Sequence, residues 1–419
     1  MRGVPPRDGG TYPNARSAGL SDDRREHLCS ALPRRLFLAA MAAMLLLPCA
    51  ATLWHPHFLR ATPVDEHRAP TAFPAPSLLS SGDGAFATQI NKWFDDRLGV
   101  RDLLIRTKNQ IDYSLFHTSR RVYVGRNGWL FEHATTNDRL FVERASAAEL
   151  QKLEHAFTNL AQRLQQRGIH LIVVGYPDKS MIYPEMLPAQ APHIPRGGNY
   201  DKLRAFLQAQ PTLTFIDVEE ILNREKSKTD EPLFYKTDIH VNQVGSIPVV
   251  QAIVQRIAQL EGRSAIRWDE AFEIKHTRLE GSEGRFLSLL RPALERIPYT
   301  TLPYQIGRDQ RDGYWNIPDS RVIREVGYSI DQPFDFEFRS LPGLCAERLP
   351  GLAVFGNSFS DLWWALGLHR YFCFVRRSRT PRERLTKFVA TLPQDTKYFI
   401  FQYLASYLPD REGPWLKPE

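Results

Sequence analysis

A hydroxyl, an imidazole and a carboxylate can together open an ester by nucleophilic attack, and three residues of this chain occupy settings that suit those roles. Ser358 lies in Gly356-Asn357-Ser358-Phe359-Ser360-Asp361, where the apolar run Leu352-Ala353-Val354-Phe355 gives way to a turn and then to Leu362-Trp363-Trp364-Ala365-Leu366. That order predicts a buried strand, a turn, and a helix capped by Ser360 or Asp361; such a turn presents one hydroxyl at the C-terminal edge of a sheet. A serine is a poor nucleophile until a base takes its proton. The base is offered by the loop Lys236-Thr237-Asp238-Ile239-His240-Val241-Asn242. In an extended loop, residues i and i+2 project to one side, so the Asp238 carboxylate can hold the His240 tautomer whose other nitrogen faces Ser358. The backbone N–H of Ser358 and the side chain of Asn357 are candidate oxyanion donors. Tyr176 and Lys179, at the end of an earlier apolar strand, are candidates to line the same edge. Plainer readings compete: a capping serine in an ordinary strand-to-helix turn, a polar Asp-X-His loop, and an exposed loop at 176–179. No paired spacing of a zinc site occurs, so a metal is not part of the expected chemistry.

These residues need a scaffold, and the apolar patterning supplies one. Ile169 to Val174, Leu213 to Val218, Leu352 to Phe355, Tyr371 to Val375 and Tyr398 to Gln402 read as strands buried on both faces. Between them fall helical spacings. Ser146 and Glu149 form a capping box ahead of Leu150, Leu153, Phe157, Leu160 and Leu164, and Gly168 stops that helix. Leu203, Phe206 and Leu207 mark another helix, Leu385, Phe388, Val389 and Leu392 a further one. Ile247, Val250, Ile253, Ile257 and Leu260 form the apolar face of a helix after the His240 loop, with Ser246 as its expected cap and Pro248 in its first turn. Alternating strand and helix argues for an α/β sandwich with a mainly parallel sheet. Residues 262–345 break the rhythm and read as an insertion of short strands and loops near the sheet's edge. Upstream, Asn127-Gly128 between Val122-Tyr123-Val124 and Trp129-Leu130-Phe131 signals a hairpin, with Trp129 in its core. Two helices are expected from Phe86, Ile90, Trp93, Phe94 and Leu98, and from Leu104, Ile111 and Leu115.

The 419 residues are 43% apolar and 24% charged, a globular composition. Of the formal charge of +7, residues 1–35 carry +3 from seven arginines and four acidic residues. The remainder is diffuse, and no Lys/Arg block with interleaved aromatics appears, so nucleic acid is not an expected partner. Of the four cysteines, Cys345 and Cys373 either form a disulfide in an oxidising compartment or stay as two buried thiols.

Leu36 to Trp54 carries no charge and follows Arg34-Arg35, the pattern of a membrane-spanning helix with its N-terminal side in the cytoplasm. A cleaved signal peptide competes, because Cys49-Ala50-Ala51 is loosely a small-residue cleavage site, but the leader before the apolar core is long. The expected organisation is therefore a cytoplasmic disordered tail over 1–35, an anchor over 36–54, a Pro-rich linker over 55–84 and one domain over 85–410.

In this order behind an anchor, four motifs resemble the alginate O-acetyltransferase family. They are the hairpin Val124-Gly125-Arg126-Asn127-Gly128-Trp129-Leu130-Phe131, the segment Pro177-Asp178-Lys179-Ser180-Met181-Ile182-Tyr183-Pro184-Glu185, the Asp238-Ile239-His240 loop and the Gly356-Asn357-Ser358 turn. The resemblance covers residues 85–405. It implies an SGNH hydrolase-like three-layer sandwich facing the bacterial periplasm, with Asp238, His240 and Ser358 as the triad, acetylating hydroxyls of a secreted polysaccharide. It implies no metal or cofactor. The partners it implies are the polysaccharide acceptor, a multipass membrane protein that carries acetyl groups across the bilayer, and other exopolysaccharide export proteins. A polysaccharide acetylesterase and a non-catalytic polysaccharide-binding scaffold are the alternatives. The chain departs from the family at Val241, where Trp is frequent, and at Tyr403-Leu404-Ala405-Ser406, where a Glu-Arg pair is usual.

Overall fold

The structure is a computed structural model describing residues 22–54, 70–79, 84–137, 145–192, 197–263, 266, 273–301, 313–325, 328–379 and 384–408. The chain divides into two compact units, Met1–Arg106 and Thr107–Glu419. In the first, α1 spans Asp22–Trp54 and contains Pro33 and Pro48. Helix therefore extends over residues 22–35, expected to be unstructured; the rest of that tail, and most of the expected linker, lie outside the described residues. By length and composition the 20-residue stretch Pro33–Thr52 suffices to cross a membrane. Helices α2 (Ala85–Arg97) and α3 (Arg101–Ile111) follow the sequence expectation. The Gly99 N–H between them donates to the Thr52 hydroxyl at 2.9 Å, tying the α2–α3 turn to the end of α1.

The second unit opens with the antiparallel hairpin β1 (Val122–Val124) and β2 (Leu130–Glu132). Asn127 and Gly128 both take positive φ, 54° and 78°, which explains the Asn-Gly choice. Trp129 is core, packed on the Tyr183 ring. Next come α4 (Ala147–Gln165), β3 (His170–Tyr176), α5 (Lys179–Ile182), α6 (Asn199–Ala209), β4 (Leu213–Asp217), α7 (Val218–Lys226) and α8 (Gln243–Leu260). Both bonds of the Ser146–Glu149 capping box form on α4. On α8 the expectation fails: Asn242 caps the helix by accepting the Gly245 N–H, so Pro248 lies in the second turn rather than the first. An Asx residue three positions before Gly245 outcompeted Ser246, whose own N–H instead donates to the Asn242 carbonyl.

The main sheet has seven strands in the order β4-β3-β11-β9-β10-β8-β7. Five of them, with β9 at Gly351–Gly356, β10 at Phe374–Arg379 and β11 at Thr396–Leu404, are mutually parallel, and β10 starts later than its apolar run suggested. Successive side chains alternate between two cores. Ile172, Val174 and Tyr176 of β3 face α7 and α8, whereas Leu171 and Val173 face α4, α6 and α11 (Leu385–Ala390). Helices on both faces of a mostly parallel sheet make three layers, and this double burial is why the strands read as continuous apolar runs.

The 262–345 insertion is more substantial than expected. It contains the hairpin ribbon β5 (Glu273–Leu279) and β6 (Glu295–Thr301), joined through the short helix α9 (Ser282–Leu287). It also contains β7 (Gly313–Glu325) and β8 (Tyr328–Ser340), and β8 pairs antiparallel with β10, extending the main sheet. Cys345 and Cys373 are joined by a disulfide, their Cα atoms 4.6 Å apart.

Candidate active site

The C-terminal edges of β9 and β10 and the loop before α8 converge on one point. After β9 the chain turns at Asn357, whose carboxamide oxygen accepts the Phe359 N–H at 2.9 Å and so caps the 3-10 turn Ser358–Ser360. Neither Ser360 nor Asp361 caps with its side chain. The Ser360 hydroxyl donates to the Asn357 carbonyl at 2.8 Å, and Asp361 opens α10 (Asp361–Ala365) while ion-paired to buried Arg377 of β10. From Gly351 to Asp361 only Ser358 escapes full burial. The apolar strand and the capped turn thus hold one hydroxyl at the surface.

The base approaches from a tight loop. Phe234 and Val241 form an antiparallel bridge, Asn242 N–H donates to the Leu233 carbonyl at 2.9 Å, and residues 235–240 bulge out between them. Asp238 Oδ1 accepts the His240 backbone N–H at 3.0 Å and the His240 Nδ1–H at 2.5 Å, while Oδ2 accepts the Ser282 N–H at 2.7 Å. With the ring proton on Nδ1, His240 Nε2 accepts the Ser358 hydroxyl at 2.8 Å. Asp238, His240 and Ser358 therefore form a continuous hydrogen-bonded line across 118 residues of sequence separation between base and serine.

Electrostatics suit the arrangement. Burial alone would raise the Asp238 carboxyl, but the His240 charge and the hydrogen bonds from His240 and Ser282 outweigh it and hold the group well below the usual carboxylate range. Burial lowers His240, and the Asp238 charge and hydrogen bond, with help from Asp361, outweigh that and raise it above its ordinary value. Asp238 is therefore an anion and His240 a stronger base than a free imidazole.

Two expected lining residues prove to be supports. Tyr176 is fully buried; its hydroxyl accepts the Trp363 Nε1–H at 2.8 Å and its ring lies 5.2 Å from Phe359, beneath the serine turn. As the last residue of β3 it points into the α8 core, so it cannot line an open edge. Lys179 is also buried, ion-paired to Glu283 of α9. Asn357, the expected oxyanion donor, adjoins Ser358, and its side-chain oxygen accepts the Phe359 N–H. Its backbone N–H donates to Gln402 Oε1 of β11 at 2.8 Å.

Sequence reasoning missed most of what holds the loop. Glu295 of β6 accepts the N–H and hydroxyl of Thr237, both at 2.8 Å, and the Lys236 N–H at 2.7 Å. Gly281 lies directly against the Thr237 carbonyl and the Asp238 Cβ, leaving no space for a side chain. Gly281→Ala is expected to cost about 1–3 kcal/mol in stability and to push Asp238 off His240, read as a lower thermal midpoint and slower turnover of an activated ester. For Gln402 a signal existed: it is the one amide in the otherwise apolar and aromatic run from Tyr398 to Leu404. Among the described residues, no group of three or more His, Cys, Asp and Glu converges as a metal-binding set.

Residues 122–310 match the family described as an SGNH hydrolase-like domain, acetyltransferase AlgX. Over 179 residues the chain is 25% identical to "Probable alginate O-acetylase AlgJ" of Pseudomonas aeruginosa, and equally to that of Pseudomonas putida, covering 42% of this chain and 44% of each relative. The match thus spans less than half the length of those relatives. Among solved structures, the O-acetyltransferase domain of Pseudomonas putida AlgJ is similar at 18% identity and TM-score 0.45, covering 69% of this chain and 92% of that one. Bacillus cereus PatB1 is similar at 15% identity and TM-score 0.46, covering 66% and 94%. The family match includes Asp238 and His240 and stops short of Ser358.

Proposed function

We propose that this chain, which is AlgJ/AlgX-like over its SGNH hydrolase-like α/β domain, is an O-acetyltransferase that passes acetyl groups through Ser358 to hydroxyls of a secreted polysaccharide, with alginate the acceptor its relatives' names suggest. The observation that carries this reading is the Asp238–His240–Ser358 line, with Nε2 2.8 Å from the only part-exposed hydroxyl of its turn. In the first half-reaction Ser358 Oγ attacks the acetyl carbonyl of a donor ester while His240 Nε2 takes its proton. The tetrahedral oxyanion is met by the Ser358 N–H, with Asn357 as the candidate second donor. Collapse breaks the donor ester bond, His240 protonates the leaving alkoxide, and an acetyl-serine remains. In the second, His240 deprotonates the sugar hydroxyl, which attacks the acetyl-serine, and the proton returns to Ser358. Asp238 holds the imidazolium throughout and stays ionised.

The apolar stretch Pro33–Thr52 supports anchoring in the bacterial inner membrane, and the Cys345–Cys373 disulfide suits a domain in the oxidising periplasm. There the donor is a multipass membrane protein that brings acetyl groups across, and other exopolysaccharide export proteins are partners. The test is to incubate the protein with an activated acetyl ester, with and without a uronate oligosaccharide. Acetylated oligosaccharide by mass spectrometry is the expected product. Acetate released at one rate regardless of glycan makes the protein an esterase, and no turnover under either condition overturns the enzymatic reading.

A further inference from the structure

The buried Lys179–Glu283 ion pair takes no part in the proton transfers above, yet it sits directly beneath the loop that makes them. The Lys179 ammonium, on a side chain only 5% exposed, donates to the carbonyls of Asp238 at 2.8 Å, Lys236 at 3.2 Å and Tyr235 at 3.3 Å, and pairs with Glu283. Glu283 is buried more deeply still, and its second oxygen accepts the Glu132 N–H of β2 at 2.6 Å. An ammonium taken out of water at this depth needs both charge and hydrogen-bond compensation, and it receives them from two sources: a carboxylate of the insertion and three carbonyls of one six-residue loop.

We propose that Lys179, held in place by Glu283, is a positioning residue of the acyl-transfer site, gathering the carbonyls of residues 235, 236 and 238 so that the Asp238 and His240 side chains project toward Ser358. Three carbonyl dipoles aimed inward at one cation fix the peptide planes of the loop. Without the ammonium the carbonyls repel one another, and the loop opens toward water. The insertion thereby reaches the loop through Glu283 beneath it and through the Ser282 N–H on Asp238, in addition to the Glu295 bonds to Lys236 and Thr237. The role in turnover rests on the acetyl-transfer reading; the orientation of His240 does not.

Removing one member of a buried pair strands the other charge, whereas replacing both by neutral groups of similar volume is often tolerated. The double variant Lys179→Met/Glu283→Gln is therefore the test, with activity and the NMR titration of the His240 imidazole as readouts. His240 is faced by Asp238 on its own loop, Asp361 of α10 and Arg379 at the end of β10; the variant replaces none of them, and of the three, Lys179 bonds only Asp238, through its main-chain carbonyl. We expect a folded protein whose kcat falls about 10- to 100-fold at little changed KM, and whose His240 titrates at lower pH than the parent because the Asp238 contact has loosened. A folded double variant with parental kcat and an unmoved titration overturns the proposal. If that protein does not fold, Glu283→Gln alone decides, since it keeps an oxygen for the ammonium: a slower enzyme with the same downward titration supports the proposal, and parental values of both overturn it. A shifted titration in a protein lacking acetyl transfer supports the positioning role and overturns the functional reading instead.

Discussion

Ser358→Ala lowers kcat for acetyl transfer by at least about 10⁴-fold and abolishes the acetyl-enzyme, as expected where nucleophile and base act as one unit. The hydroxyl's partner is His240 Nε2, and the turn is held by other groups: the Asn357 carboxamide, Gln402 and the Arg377–Asp361 pair. Removing one half-exposed oxygen should therefore cost only about 1 kcal/mol of stability, and the variant should melt close to the parent. Peptide mass spectrometry after exposure to an activated acetyl ester provides the second check: the Ser358 peptide gains an acetyl group in the parent and stays unmodified in the variant. Parental rates in folded Ser358→Ala protein would remove the nucleophile assignment and leave a binding module.

Asp238→Asn should be nearly as severe, with a drop in kcat of about 10⁴-fold, and it carries a signature in pH. A carboxamide nitrogen turned toward Nδ1 forces the ring proton onto Nε2, the position that must accept the Ser358 proton. The charge is lost as well. In the parent, the Asp238 anion raises His240, and the base works only when neutral, so activity climbs as pH rises through that elevated value. Asparagine removes the stabilisation of the imidazolium, His240 titrates lower, and the acid limb of the residual activity moves to lower pH. Asp238 itself is held below the usual carboxylate range and adds no ionisation of its own near neutrality. An acid limb that stays put would separate Asp238 from the base.

The parts of the site that are local in sequence were readable. Asp238 and His240 lie two apart, and the Leu352–Phe355 run announces the strand that carries Ser358. The Ser146 box and the Asn-Gly turn are equally local, each a bond between neighbours. What was not readable is what the sheet and the insertion bring from far away. Lys179 looks like an exposed residue at a strand end because charge usually means solvent, and its burial depends on a carboxylate 104 residues later in a segment without periodicity. Tyr176 looked available for the same reason: its environment is set by Trp363, 187 residues on. The long strands β7 and β8 are polar-rich, and it is pairing, of β8 with β10 and of β7 with β8, rather than their own composition that makes them part of the sheet. The α8 cap was a local error, two plausible capping residues four positions apart with the geometry favouring Asn242.

The sheet order has a consequence for biogenesis. β11 follows every other strand of the sheet in sequence yet lies in its middle, between β3 and β9. A growing polypeptide that has made everything up to β10 exposes two facing apolar strand edges, and its Ser358 turn still lacks Gln402. Such an intermediate invites aggregation at its open edges. It also delays the candidate site: the Asn357 N–H gains its Gln402 partner only when β11 slots in, the same step that closes the core.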